Sequence, residues 1–253
     1  MKVTFLGTGT SQGIPVVACH CDVCRSMDFR DKRLRTSVHL QVDGLSLVID
    51  SGPDFRQQML REKIDKLDAI IYTHEHKDHT AGLDDVRGFN FALQKDMPLY
   101  GRKRVIDQLK LEFHYAFSDI KYPGVPRLEV NILNGNPFTI GKTTIFPIEV
   151  KHMKLPVYGF RIEDFTYITD ANAIEPQEIE KIQGTKILVL NALQQNKHVS
   201  HFNLEEALVM IHKIAPDQAY LIHLSHMMGK HNDIEQLLPD NVNIAYDGLT
   251  IEM

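Results

Sequence analysis

The sequence lacks both a long hydrophobic run and an excess of basic residues. No stretch approaches the ~18 consecutive apolar residues that a membrane-spanning helix needs. Its first residues turn polar too soon for a signal peptide, so we expect a soluble, cytoplasmic protein with no membrane partner. The 28 lysines and arginines are outnumbered by 33 aspartates and glutamates, and a net charge of −5 gives no global attraction for nucleic acid. Any anionic substrate must therefore be bound locally.

The sequence also lacks low-complexity tracts, internal repeats and Ser/Gly linkers that would mark a domain boundary. Its 253 residues have an ordinary globular composition, with 43% hydrophobic and 24% charged residues, which rules out disorder, collagen and coiled coil. Folds with two β-rich layers often use about 200 to 250 residues for a single core. We therefore predict one domain spanning residues 1–253.

Short β-rich runs come first as hairpins and later alternate with helical patterns, which predicts an α/β protein with two mixed sheets flanked by helices. Asp43-Gly44 and Asp247-Gly248 each join apolar runs and predict hairpin turns. Asn203 is the predicted N-cap of a helix that begins at Leu204. Residues 115–136 show little periodicity and predict a long loop.

Four potential metal ligands, His74, His76, Asp78 and His79, follow directly after the apolar run at residues 67–73. Imidazole and carboxylate groups suit borderline or hard divalent ions. In an extended segment His74 and His76 point the same way and can share one ion, whereas Asp78 and His79 can bind a second. We therefore predict a dinuclear metal site, the alternative being a charged surface loop that carries histidines.

The pattern His-x-His-x-Asp-His resembles the signature of the metallo-β-lactamase superfamily, and the rest of the chain resembles that family from end to end. The resemblance implies a four-layer αββα sandwich and three further ligands at strand ends, which are matched by His152, Asp170 and His223. Asp170 would bridge the two ions, and Asp50 would support the site from behind. Taken singly, His152, Asp170 and His223 would more often be capping or structural residues than ligands.

The implied ligand sets divide between two divalent ions, either zinc or manganese. The first ion is assigned to His74, His76 and His152, and the second to Asp78, His79 and His223. Asp78 is in addition predicted to be catalytic.

The three cysteines, Cys19, Cys21 and Cys24, are too close together and odd in number for a disulfide framework. Three thiolates leave one position of a tetrahedral zinc site unfilled. The candidates for the fourth ligand are His20, His39, His226 and His231, and we favour His226 because it stands three residues after His223. Such a closed zinc knuckle at residues 19–24 would stabilise the fold. The alternative is three unreactive thiols.

Together with the glycine-rich residues 7–15, the cysteine cluster resembles the superfamily branch that contains the phosphoribosyl 1,2-cyclic phosphate phosphodiesterase. That resemblance implies hydrolysis of a small cyclic or nucleotide-like phosphodiester by a hydroxide on the dinuclear centre. His201, just before the helix that begins at Leu204, is the predicted acid and matches the family's histidine in that loop. His198 is a competitor, and a surface-loop histidine is the alternative. A homodimer is expected by family analogy.

Three alternatives stay open. A nuclease that processes tRNA 3′ ends shares this ligand set, but no long basic arm is visible, so nucleic acid is the less favoured partner. Lactam or thioester hydrolysis is chemically feasible. A non-catalytic carrier similar to PqqB is the third alternative, although PqqB-like chains lack the full His-x-His-x-Asp-His set that is intact here.

Overall fold

A computed structural model describes residues 1–119 and 122–253 and divides the chain into two compact units. The first unit comprises Met1–Gly7, Thr36–Asn134 and Gly248–Met253. The second unit comprises Thr8–Arg35 and Gly135–Asp247. The single domain expected from the chain length stays a prediction. Within the described residues, every helix is too short or too polar to span a bilayer.

Strands are distributed along the whole chain. They are β1 (Lys2–Gly7), β2 (Ser37–Val42), β3 (Leu45–Ile49), β4 (Ala69–Ile71), β5 (Met97–Arg102), β6 (Leu128–Leu133), β7 (Phe138–Ile140), β8 (Thr143–His152), β9 (Leu155–Ile162), β10 (Phe165–Ile168), β11 (Ala173–Ile174), β12 (Ile187–Asn191), β13 (Gln218–Ile222), β14 (Val242–Ile244) and β15 (Thr250–Glu252). The α-helices are α1 (Phe55–Arg61), α2 (Lys77–Thr80), α3 (Arg87–Leu93), α4 (Lys103–Glu112), α5 (His114–Phe117), α6 (Pro176–Ile182), α7 (Leu204–Ile214) and α8 (His231–Glu235). Short 3-10 helices form at Phe29–Asp31 and Leu83–Val86.

The first unit is built on a mixed seven-stranded sheet in the order β15-β1-β2-β3-β4-β5-β6. Its first strands pair antiparallel, and β3 to β6 run parallel to one another. Apolar residues on one face of the sheet, including Val48 and Ile70, share a buried core with Phe55 of α1 and Leu109 of α4. The amphipathic pattern of these two helices thus covers one side of their own sheet.

The second unit contains a mixed sheet in the order β11-β8-β9-β10-β12-β13-β14, with β7 pairing to β8. Its parallel part runs from β10 to β14, and its core includes Ile179 of α6, Ile211 of α7 and Ile234 of α8. Asn203 caps α7 as predicted, because its side chain accepts a hydrogen bond from the amide of Glu206 and the Glu206 side chain bonds back to the Asn203 amide.

Both units place polar residues at the carboxyl ends of parallel strands. In the first unit Asp50 follows β3 directly and His74 stands three residues after β4. In the second unit Asp170 follows two residues after β10, and His223 follows β13 directly. Carboxyl ends of parallel strands in α/β sheets are the usual location of ligand sites. The candidate residues therefore occupy the expected edge of each sheet.

Two sequence-based expectations are wrong. Residues 115–136 are not a loop throughout, because the end of α5 and all of β6 fall within them and β6 pairs in parallel with β5; Ile120 and Lys121 lie outside the described residues. Asp247-Gly248 does not form a hairpin, because β14 pairs with β13 whereas β15 pairs with β1. The Asp43-Gly44 turn does join β2 and β3 in an antiparallel hairpin. A weak local pattern is overridden where the pairing partner is distant in sequence.

Candidate metal centres

The first unit gathers His74, His76, Asp78 and His79 on one short segment, because α2 begins immediately after His76 and turns the chain. His74 Nε2 lies 3.0 Å from His76 Nδ1, and the rings of His74 and His79 are 4.3 Å apart. His79 Nε2 lies 3.2 Å from Asp78 Oδ2. Two donors on one tetrahedral ion are about 3.3 Å apart, as follows from metal–nitrogen distances of about 2.0–2.1 Å. The spacing of these donors fits divalent metal ions.

Asp50 is completely buried and orients this segment through hydrogen bonds. Its carboxylate accepts hydrogen bonds from the amide and hydroxyl of Thr73 at 2.8 Å each and from Nδ1 of His79 at 2.7 Å. Because the Thr73 hydroxyl donates to Asp50, its oxygen accepts from Nδ1 of His74 at 2.9 Å. Both imidazoles therefore carry the proton on Nδ1 and keep the lone pair of Nε2 for a metal. Burial raises the pKa of Asp50, although these hydrogen bonds oppose the rise.

The second unit gathers His152, Asp170, His201 and His223. Ligand atoms of His152, Asp170 and His201 lie within 4.8 Å of one another, and His223 Nε2 lies 3.2 Å from Asp170 Oδ1. Nδ1 of His152 donates to the carbonyl oxygen of Ser200 at 2.7 Å, which again leaves the lone pair on Nε2. These residues come from three strand ends and one loop, and together they form a second imidazole–carboxylate cluster.

Three residues of the two clusters share a backbone conformation with a positive φ angle. Asp50, Asp170 and His223 have φ angles of 66°, 59° and 58°, the left-handed region that is uncommon for residues other than glycine. Each stands at the point where a parallel strand ends. Strained conformations of this kind cost free energy and persist where function and surrounding contacts require them. The same backbone conformation therefore turns the chain after β3, β10 and β13.

His201 packs among the histidines of the second unit. Its ring stacks on His223 with centroids 4.8 Å apart and lies 4.6 Å from the ring of His152. Burial, reinforced by the neighbouring His223, lowers the pKa of His201 to about 3, so the imidazole is neutral at neutral pH. The competitor His198 lies further out, with its ring 5.4 Å from that of His201.

The cysteine cluster lies wholly in the second unit and surrounds one nitrogen. Nδ1 of His226 is 3.2, 3.4 and 3.5 Å from the sulfurs of Cys19, Cys21 and Cys24. One imidazole N–H cannot serve three sulfur acceptors, whereas a central zinc ion with S and N ligands would place them about 3.5 Å apart. The donor set therefore fits a closed tetrahedral zinc site.

The pKa values of two of the three thiols are shifted in opposite directions. The backbone amide of Cys24 donates toward Cys21 and lowers the pKa of the Cys21 thiol to about 6. Burial raises the pKa of the Cys24 thiol to about 11. The thiolate is the ligand form.

Two of the other three histidines considered for this site lie elsewhere. His39 contacts Ser46 in the first unit, and His231 contacts Arg33 in the second. His226, the favoured fourth ligand, is the histidine that the structure brings to the cysteines.

Sequence reasoning missed several residues that hold the candidate ligands. Thr73 links His74 to Asp50, and the hydroxyl of Thr169 donates to Asp170 at 2.6 Å. Asn191, at the end of β12, bonds both the amide and the carbonyl of Ala171 and so fixes the turn after Asp170. Threonine and asparagine carry no ligand signature. The only available signal was their position at the carboxyl ends of strands.

Comparison with known proteins decides the family. Residues 46–224 match the beta-lactamase superfamily domain. The chain belongs to this superfamily. It is similar to a solved structure described as a new diphosphatase from the PhnP family, with a TM-score of 0.93 and 36% sequence identity. The match covers 100% of this chain and 97% of that structure's chain. The two mixed sheets flanked by helices are therefore those of the metallo-β-lactamase fold, as predicted.

Two curated relatives carry different names. The octanoyltransferase of Porphyromonas gingivalis (strain ATCC BAA-308 / W83) is 40% identical over 252 residues, which is 98% of this superfamily member and 51% of the relative. A ribonuclease Z of Staphylococcus epidermidis (strain ATCC 35984 / DSM 28319 / BCRC 17069 / CCUG 31568 / BM 3577 / RP62A) is 28% identical over 174 residues, or 64% of this chain and 49% of the relative. The chain thus spans about half the length of these relatives.

Proposed function

We propose that the chain is a metal-dependent phosphodiesterase that hydrolyses a small cyclic or nucleotide-like phosphodiester. The observation that carries the proposal is the double set of imidazole–carboxylate clusters at strand ends. In them Asp50, Thr73 and the Ser200 carbonyl direct the lone pairs of His74, His79 and His152 toward a metal. The similarity to a PhnP-family diphosphatase supports phosphorus–oxygen chemistry.

In this proposal two divalent cations, zinc or manganese, are held by the donors of both clusters. The residues that would hold them are His74, His76, Asp78 and His79 in the first unit and His152, Asp170 and His223 in the second. When bound, such cations lower the pKa of a water molecule and stabilise charge on a phosphoryl group. Zinc at Cys19, Cys21, Cys24 and His226 is proposed to be structural, because a closed site offers no position to substrate.

The chain's own residues position these groups. Asp50 holds the tautomer of His79 through a direct hydrogen bond and that of His74 through Thr73. Asp78, next to His79 Nε2, is the carboxylate assigned to both binding and catalysis. The histidine that we assign as proton donor to the leaving oxygen is His201, stacked on His223.

The role of His201 requires an imidazolium, whereas burial keeps this imidazole neutral in the unliganded protein. A bound phosphate anion would have to raise its pKa again. His201→Ala should therefore lower kcat by on the order of 10² or more on an alkyl diester, whose leaving group needs a proton. On a nitrophenyl diester the loss should be much smaller, and His198→Ala serves as the neighbouring control. Equal losses on both substrates would remove His201 as the acid.

The substrate class is tested by a screen with four arms: cyclic ribose phosphates, 2′,3′-cyclic nucleotides, short structured RNA and an octanoyl thioester. The last two arms follow from the names of the ribonuclease Z and octanoyltransferase relatives. We expect the highest kcat/KM on a small cyclic diester. Turnover confined to RNA or to the thioester would overturn the proposal, and so would the absence of any turnover in protein with a full metal complement. A cytoplasmic location and a homodimer remain predictions.

A further inference from the structure

A short segment of the glycine-rich stretch that follows β1 pairs with the chain directly after His223. The amide of Thr10 donates to the carbonyl oxygen of Leu224 at 3.0 Å, and the amide of Leu224 donates to the carbonyl oxygen of Thr8 at 3.0 Å. Gly9 lies between these two bonds and forms a parallel bridge with Leu224. All of these residues belong to the second unit. The segment therefore holds the backbone of the residue that follows a candidate metal ligand.

The backbone of His223 is strained and is fixed by contacts on both of its sides. Its φ angle of 58° lies in the left-handed region. Before it, the carbonyl oxygen of Ile222 accepts a hydrogen bond from the amide of Ala192 at 3.0 Å, and after it Leu224 is held by the pairing just described. Strained conformations persist where surrounding contacts determine them. The direction of the His223 side chain, whose Nε2 lies 3.2 Å from Asp170 Oδ1, therefore depends on these contacts.

Close packing explains why residue 9 is a glycine. A Cβ built on Gly9 would lie 3.0 Å from both the Cβ and the carbonyl oxygen of Arg33, and 3.1 Å from the carbonyl oxygen of Leu34. The φ angle of Gly9 is not in the left-handed region, so the close approach of the neighbouring chain excludes a side chain, not the backbone conformation. The Gly9 amide also donates to the Leu34 carbonyl oxygen at 2.8 Å. Gly9 thus fits between this chain and Leu224.

The chain on the far side of Gly9 is anchored by buried polar contacts. Arg33 is buried, and its guanidinium donates to the hydroxyl of Thr8 at 2.8 Å. The carboxylate of Asp247 accepts from the same hydroxyl at 2.8 Å and from the amide of Leu34 at 2.7 Å. Close-packed interiors transmit a displacement because they contain few voids that could absorb it. A methyl group on the glycine would therefore shift the segment relative to Leu224.

We propose that Gly9 is a positioning residue for His223. Because it carries no side chain, residues 8–10 can pack between Arg33 and Leu224, and their pairing with Leu224 fixes the direction in which His223 presents its imidazole to a metal. The proposal rests on the metal centre of the proposed function but not on its substrate. It gives the glycine-rich stretch a role in metal binding.

The test measures the zinc affinity of the imidazole–carboxylate clusters by competition with a chromogenic chelator, in protein that keeps its knuckle zinc. Gly9→Ala should weaken zinc binding by about tenfold or more, as expected for the loss of a contact that orients a ligand. Gly184→Ala is the matched control, because Gly184 lies in the same unit with a φ of 76° and a Cβ on it would meet no described atom within 4 Å. It strains the backbone without touching residues 8–10 and should leave zinc affinity unchanged.

A double-mutant cycle separates the positioning of His223 from a general effect on the fold. His223→Ala removes the ligand, and in that background Gly9→Ala should cause no further loss of zinc affinity. If Gly9→Ala does not fold, Asp247→Asn takes its place in the cycle, since it weakens the anchor of Thr8 and Leu34 while keeping the size of the side chain. It should weaken zinc binding with the same dependence on His223.

Three results would overturn the proposal. They are a parental zinc affinity in Gly9→Ala, equal losses of affinity with and without His223, and a loss in Gly184→Ala as large as that in Gly9→Ala. Zinc binding without diester hydrolysis would contradict the phosphodiesterase alone, whereas a parent that binds no zinc at the clusters would overturn both proposals.

Discussion

The segment from His74 to His79 and the cysteine knuckle at residues 19–24 are both compact runs of ligands, yet they are built differently. His74 and His79 are completely buried and oriented by Asp50 and Thr73 behind them. In the knuckle Cys21 is exposed, and the three sulfurs point at one nitrogen of His226. Soft thiolates that enclose a single point suit a structural ion, whereas imidazoles and carboxylates held by hydrogen bonds suit ions that also bind substrate.

The comparison predicts that the two sites fail in different ways. Loss of a ligand in the His74–His79 segment should abolish turnover with little effect on unfolding. Loss of a cysteine should lower stability first. Four changes test this division, from the largest expected effect to the smallest.

Asp78→Ala and His76→Ala should each lower kcat/KM by on the order of 10³ or more, because losing metal-derived charge stabilisation of several kcal/mol costs about tenfold per 1.4 kcal/mol. The intervening Lys77→Ala is the control, since Lys77 is exposed and pairs with Glu112. Steady-state kinetics on a nitrophenyl diester measure turnover, and thermal unfolding measures stability. Near-parental turnover in both ligand variants would remove this segment from the active site.

Cys21→Ser should remove one equivalent of zinc and lower the free energy of unfolding by about 2 kcal/mol or more, which is about 4–8 °C in Tm for a chain of this size. The adjacent Asp22→Ser, at an exposed position, should leave both quantities near those of the parent. Elemental analysis and calorimetry give the two measurements. Unchanged zinc content and Tm in Cys21→Ser would contradict a structural knuckle.

Asp50→Asn keeps the size of the side chain but removes the charge that orients His79, and it should cost about 10- to 100-fold in metal affinity or activity. Thr73→Val should cost less, because it removes the hydroxyl that bonds Asp50 and His74 but leaves the direct hydrogen bond between Asp50 and His79 in place. Metal affinity is measured by competition with a chromogenic chelator. If Thr73→Val proves more damaging than Asp50→Asn, then Asp50 is not the residue on which the orientation depends.

His39 is a histidine outside both sites, and burial, together with Lys2, lowers its pKa to about 4. The unfolded chain, with a pKa near 6.5, binds more protons than the native state between these values. Stability from this residue is therefore present above about pH 6.5 and falls as the pH drops toward 4. His39→Gln keeps a donor for Ser46 and should show a shallower loss of unfolding free energy between pH 7 and 5 in denaturant titrations. The same pH slope in parent and variant would show that His39 takes up its proton without penalty.

Features formed by residues close together in the sequence could be predicted from local patterns. The His-x-His-x-Asp-His segment is assembled by one turn of backbone, and the cap of α7 by Asn203 is a local hydrogen bond. The Asp43-Gly44 hairpin was predictable for the same reason. Residues joined only by the fold were harder to identify. The strand β6 forms because β5 lies beside it, and β14 and β15 separate at Asp247 because their partners are distant in sequence.

The residues that hold the candidate metal ligands in place could not be predicted from the sequence either. Nothing in the sequence links Thr73, Thr169 or Asn191 to metal binding, because their effect comes from a hydrogen bond to a ligand or to its turn. His226 was favoured among four histidines only for its spacing from His223. Its contact with three sulfurs depends on the second unit bringing distant residues together.

The most direct test is metal titration of protein stripped at the imidazole–carboxylate clusters but still holding its knuckle zinc. Turnover of a cyclic phosphodiester should rise with added zinc or manganese and saturate at two equivalents per chain. In Asp78→Ala the second equivalent should bind weakly and restore no activity. Full turnover before any metal is added, or saturation of both binding and activity without dependence on Asp78, would contradict the central claim.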